Sequence, residues 1–130
     1  MSAPSAFSYA ILRVVPSVER GECLNVGVVL HCPQRRYLGV RLHLDEARLA
    51  ALAPAADPGE LRPLLDSLAA IAAGDPAAGP LAALSRSDRF GWLAAPSSTT
   101  IQPSDIHTGL SEDPERTLDH LFTTLVLAPG

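Results

Sequence analysis

The sequence predicts an α+β fold, an antiparallel β-meander sheet with helices packed mainly on one face. Three observations carry this. Strand-like runs with period-two alternation follow one another through Leu42, joined by connections too short for a crossover. Asp-Pro pairs then open runs with helical apolar spacing. No repeat or long linker divides the 130 residues, so one domain over 1–130 is expected.

The first strand is expected over Phe7 to Val15, ended by Pro16. A second follows from Glu22 to His31, with Leu24, Val26, Val28 and Leu30 on one face and Asn25, Gly27, Val29 and His31 on the other. After a turn at 32–36, Tyr37 to Leu42 gives a third, in which Leu38, Val40 and Leu42 alternate with Tyr37, Gly39 and Arg41. Asp45 caps a short helix through Leu52. Asp57-Pro58-Gly59-Glu60 combines a capping acid, proline at the first helical position and an acid at the third, and Gly74 stops that helix after Ala73. Asp75-Pro76 opens a short helix to Leu84, interrupted at Gly79-Pro80. Phe90 to Leu93 reads as a fourth strand, Ser98 to Gln102 as a fifth and Pro103 to Leu110 as a loop. The last helix begins at Asp113-Pro114-Glu115, with Leu118, Leu121, Phe122, Leu125 and Val126 on one stripe.

Composition excludes several function classes. All ten basic residues are arginines, which removes a Schiff-base lysine, a pyridoxal phosphate anchor and a P-loop lysine. A net charge of −4 speaks against a nucleic-acid surface. No apolar run reaches the ~20 residues that span a bilayer, and the N-terminus lacks a signal-peptide pattern. His31, His43, His107 and His120 have no metal-ligand spacing, so neither a metal nor a cofactor is expected. Cys23 and Cys32 bracket one strand of roughly 30 Å, too far apart for a disulfide. Reduced thiols and a cytoplasmic home follow.

The most informative stretch is Arg20-Gly21-Glu22-Cys23-Leu24-Asn25-Val26-Gly27, because polar groups and glycines weaken a strand unless something uses them. If the leucines and valines meet the helices, the opposite face carries Tyr9, Arg13, Asn25, Gly27, Tyr37, Gly39 and Arg41. Hairpin pairing sets Arg13 opposite Asn25 and Arg41 opposite Gly27, with Arg20 and Glu22 at the strand entrance. Gly27 and Gly39 leave room there for a ligand, a second chain or the 99–109 segment. Paired guanidiniums suit an anionic group. A catalytic version would use Glu22 as general base and His107 as acid partner, provided the 103–110 loop folds over that sheet end. A purely structural ion-pair network of Arg13, Glu22 and Arg41 is the competing account. The run from Ser97 to Gly109 is rich in hydroxyls, but Ser98 or Ser104 with Asp105 and His107 lacks the context of a triad.

These stretches resemble a bacterial family, the domain of unknown function numbered 3037. The matching residues are Tyr9-Ala10-Ile11-Leu12-Arg13 with Pro16, Arg20-Gly21-Glu22, Asn25-Val26-Gly27-Val28, Gln102-Pro103 and His107-Thr108-Gly109. They occur in order along nearly the whole chain, while 45–90 carries no comparable signature. The resemblance adds Gln102 and Thr108 to Arg13, Arg20, Asn25 and Arg41 as expected binding residues. Chains of this family are sometimes encoded beside kinase-like proteins of the HipA type, which implies an accessory role. The expectation is therefore a non-catalytic binding protein that recognises an anionic group or a partner, a HipA-like kinase or a second copy. The alternative is a small hydrolase or transferase using Glu22 and His107, with arginines as electrostatic stabilisers.

Overall fold

The computed structural model describes residues 3–17, 19–97 and 100–128. Strand β1 (Ser5–Val14) lies at the centre of an antiparallel sheet. It pairs on one side with β2 (Leu24–Cys32), which in turn pairs with β3 (Tyr37–Leu42). On its other side it pairs with two short strands placed end to end, β4 (Ile101–Pro103) and β5 (His107–Ser111). The α+β class and the three-strand meander are as the sequence predicts.

Helix starts follow the caps. The Asp45 carboxylate accepts from Arg48 N to begin α1 (Glu46–Leu52), and Asp57 accepts from Gly59 N to begin α2 (Pro58–Ala73). Gly74 ends α2 in the left-handed conformation that favours glycine, with φ 71°. Two 3-10 turns, Pro76–Ala78 and Pro80–Ala83, replace a longer helix, broken at Gly79 as expected. Asp113 accepts from Arg116 N to begin α4 (Pro114–Leu125).

Two readings of the sequence are corrected. Phe90–Leu93 belongs to helix α3 (Arg86–Leu93), not to a strand. Ser85 Oγ accepts from Asp88 N to start that helix, and the three-residue spacing of Phe90 and Leu93 buries both. The stretch 103–110 is not a loop. Its second half forms β5, because the backbone of β1 offers a pairing edge that local propensity does not record. The Ser98–Thr99 start of the expected fifth strand lies outside the described residues.

A bulge divides the sheet into two cores. Leu12 pairs with Gly27 but Arg13 pairs with Asn25, so Val26 is the extra residue and the alternation of β2 inverts there. Leu24, Val26 and Val29 join Leu12 and Val14 beneath α1, α2 and α3. Val28, Leu30 and Cys32 face the other way with Phe7, under Leu118 and Val126 of the α4 segment. The single face expected for Leu24, Val26, Val28 and Leu30 is therefore split between both sides of the sheet. Three helices cover one face and α4 covers the other. Gly39 gives its space to the Tyr37 ring and to Leu118, whose methyl would sit 2.9 Å from an added Cβ. Gly27 lies on the other face, against Leu42.

Candidate functional site

Most of the polar residues singled out from the sequence fasten the sheet to its cover. Arg13 and Asn25 are directly paired, as the hairpin reading requires. Asn25 Nδ2 donates to Leu125 O at 3.0 Å, satisfying a carbonyl that the end of α4 leaves unpaired. Arg41 stands opposite Val28, one position from the expected Gly27. Its Nε donates to Asp119 Oδ1 at 2.9 Å and its Nη2 lies 3.6 Å from Glu115 Oε1, so it grips two carboxylates one helical turn apart. Tyr37 beside it has its phenol pKa pushed up, chiefly by burial. Arg13 Nη2 donates to Pro103 O at 3.1 Å and its Nε to Gln102 O at 3.4 Å.

The entrance to β2 forms a second setting. Arg20 and Glu22 pair at 2.5 Å with both side chains largely in water, where solvent and salt screen the attraction and leave it little weight in stability. They line a cleft of about 490 Å³ floored by Val14, Pro16 and Leu61. Glu22, Asp57 and Glu60 give its wall three carboxylates against the one guanidinium of Arg20, which suits an anion poorly.

Glu22 and His107 lie far apart along β1, one beyond its C-terminal end and the other beside its middle. His107 is opposite Tyr9, its ring stacked at 5.2 Å between centroids, whereas Glu22 precedes Leu24, the partner of Val14. At about 3.3 Å per residue that is a separation of roughly 20 Å, far beyond hydrogen-bond reach or one bridging water. The two do not form an acid–base pair. Among the described residues no cluster of three His, Cys, Asp or Glu side chains is placed to hold a metal ion. Cys23 is exposed and Cys32 buried, and neither is in a disulfide.

The remaining expected residues, Gln102 and Thr108, lie on the β4–β5 edge, and that edge is where the molecule is least finished. Gln102 is opposite Arg13 on β4, and Thr108 is an exposed residue of β5 opposite Ser8. Between the strands a one-residue bulge at 104–106 is built on Ser104. Its N–H donates to Ile11 O at 2.7 Å, and its Oγ accepts from Ile11 N at 2.8 Å in place of a ladder carbonyl. This bond sets the alternation of the ladder. His107, Gly109 and Ser111 point their backbone groups inward to β1, while Thr108 and Leu110 point theirs outward. Gly109 is needed because a Cβ there would lie 2.7 Å from the Phe7 ring.

Sequence reasoning missed the apolar half of this region. Trp92 (46% exposed) and Leu64 (48%) flank a groove of about 470 Å³ whose floor includes Leu12, Ile71 and Ile101, with Pro103 at its edge. Ile106 (51%) and Leu110 (69%) are exposed on the adjoining edge. Four of the five large exposed hydrophobic side chains among the described residues thus lie at one groove or along the β4–β5 edge. Reading 90–93 as a strand hid Trp92; the Ser85-to-Asp88 cap was the signal that would have placed it on the outer side of a helix.

Among the described residues no helix is long and apolar enough to cross a membrane. No curated protein and no solved structure matches the chain. The family described as "Protein of unknown function (DUF3037)" matches residues 9–126, from the middle of β1 to just past α4, and the chain belongs to it.

Proposed function

We propose that this chain is a non-catalytic binding or accessory protein of the cytoplasm, and that the group it recognises is a partner protein held along the groove at Trp92 and Leu64 and the edge at Ile106–Leu110. The observation that carries this reading is the gathering of exposed apolar side chains at one groove and one strand edge, since such patches mark interaction surfaces. The expected anionic ligand is less well supported. Arg13, Arg20 and Arg41 are each engaged by groups of the chain itself, and in the cleft at Arg20 the carboxylates of Glu22, Asp57 and Glu60 outnumber its one guanidinium. The separation of Glu22 from His107 gives the hydrolase or transferase alternative no assembled machinery. The partner implied by the family resemblance is a kinase-like protein of the HipA type.

The test is co-expression with a kinase-like protein of the HipA type from the same organism, followed by measurement of the complex's mass and dissociation constant. A complex is expected, and Trp92→Ala with Leu110→Ser should weaken it by about 30-fold or more, the effect of removing an aromatic anchor at an interface. Absence of a complex, or a complex indifferent to both substitutions, contradicts the proposal.

A further inference from the structure

Building on the partner-binding reading above, we propose that the outer edge of β5 takes up an extended, basic segment of the partner as an added strand of the sheet. Thr108 and Leu110 direct their N–H and C=O groups away from β1, and among the described residues β5 pairs with β1 alone. A row of unpaired backbone groups is complementary to another extended backbone and to little else, which fixes the occupant as a strand. The side chains of Thr108 and Leu110 share the sheet face of the Trp92 groove, since they alternate with His107 and Gly109, which lie against Tyr9 and Phe7 on the α4 side. An added strand would therefore lay alternate side chains beside Leu110 and toward that groove.

Charge decides between a second copy and a different partner. The chain around β5, from Thr100 to Asp113, carries Asp105, Glu112 and Asp113 and no arginine, and the nearest one, Arg116, lies in α4. Two copies paired antiparallel about Gly109 would set Asp105 of each opposite Asp113 of the other, and like charges facing across strands are destabilising. A segment bearing basic residues meets the same acids favourably. Arg35, which reaches Ser5 Oγ, does not offset them, because it comes from the β2 side of β1 and is held there by Ala3 O as well.

The experiment uses fluorescently labelled peptides of about nine residues, an ordinary strand length, alternating valine with arginine or with glutamate. The arginine peptide should bind the intact protein saturably, and the glutamate peptide about tenfold more weakly or less. Thr108→Pro removes an N–H that points away from β1, so the fold should survive while peptide affinity falls about tenfold; Thr108→Ser should stay within about twofold. Amide exchange needs no variant: bound peptide should slow Thr108 and Leu110 specifically. Failure of the arginine peptide to bind, unchanged exchange at those two amides, or equal affinity for a folded Thr108→Pro protein overturns the proposal. So does a dimeric mass for the protein alone that Thr108→Pro abolishes. Peptide binding lost in Trp92→Ala but retained in Thr108→Pro would overturn strand addition while leaving the binding role intact.

Discussion

The two halves of the β4–β5 edge run along the same central strand, yet one is sealed and the other open. At β4, Pro103 has no N–H to offer a newcomer, and Arg13 lays its guanidinium on the Pro103 and Gln102 carbonyls. The Ser104 bulge then ends that half by turning a side-chain hydroxyl into a ladder acceptor. Beyond it, β5 has neither proline nor arginine, and it exposes Thr108 and Leu110. A protein that needed only to avoid edge-to-edge aggregation would blunt both halves. Here one half is blunted, and the other keeps an open strand that exposes Leu110 between Asp105 and Glu112, the contrast on which the strand-addition proposal rests.

Four substitutions sharpen or break this contrast. The largest effect is expected at Gly109→Ala, where the new methyl meets the Phe7 ring; overpacking of this kind costs about 1–3 kcal/mol, or roughly 4–12 °C of melting midpoint. A midpoint unchanged from wild type would mean that β5 does not lie against Phe7. Next, Ser104→Ala leaves Ile11 N without its acceptor and should destabilise by about 1–2 kcal/mol in denaturant titration. Arg13→Gln should lose a similar or slightly smaller amount and raise the exchange rates of β4 amides, since it uncaps the sealed half. Leu110→Ser should change stability by no more than about 0.5 kcal/mol, the behaviour of an exposed site with little packing to lose.

A pH series probes the sheet just inside β5. His31, buried beside Phe90 and opposite Ser8, has its pKa lowered from 6.5, first by burial and then by the charge of Arg86. The folded state therefore favours the neutral ring, and below pH 6.5 the unfolded chain binds more protons than the folded one. Stability should be fully present above pH 6.5 and fall as pH drops toward the lower folded pKa. His31→Gln should flatten that part of the melting-midpoint profile relative to wild type. Parallel profiles would show that the ring is hydrated in the folded state.

How much of this was legible follows from where each signal resides. The Asp-Pro openings of α2 and α4 are local chemistry, and Asp57 and Asp113 mark both helix starts in the sequence itself. The Arg13–Asn25 pairing was legible because one hairpin fixes it. The extra residue at Val26 was not, because a bulge leaves no mark in a period-two pattern until the register on both sides is known. That inversion sent Gly27 to the other face and put Val28 across from Arg41. Strand β5 was hidden for a related reason: His107-Thr108-Gly109-Leu110-Ser111 has little intrinsic strand preference and is held by β1. The polar residues were correctly noticed as needing partners, but sequence could not reveal that α4 supplies them to Asn25 and Arg41.

The central claim is that β5 presents a free backbone edge, and residue-resolved amide hydrogen exchange on the partner-free protein tests it most directly. The account predicts an alternating pattern, with His107 and Gly109 protected by their bonds to β1 and Thr108 and Leu110 exchanging as fast as exposed loop amides. Protection of Thr108 and Leu110 equal to that of His107 and Gly109 would show that the edge is already covered, and would contradict the account.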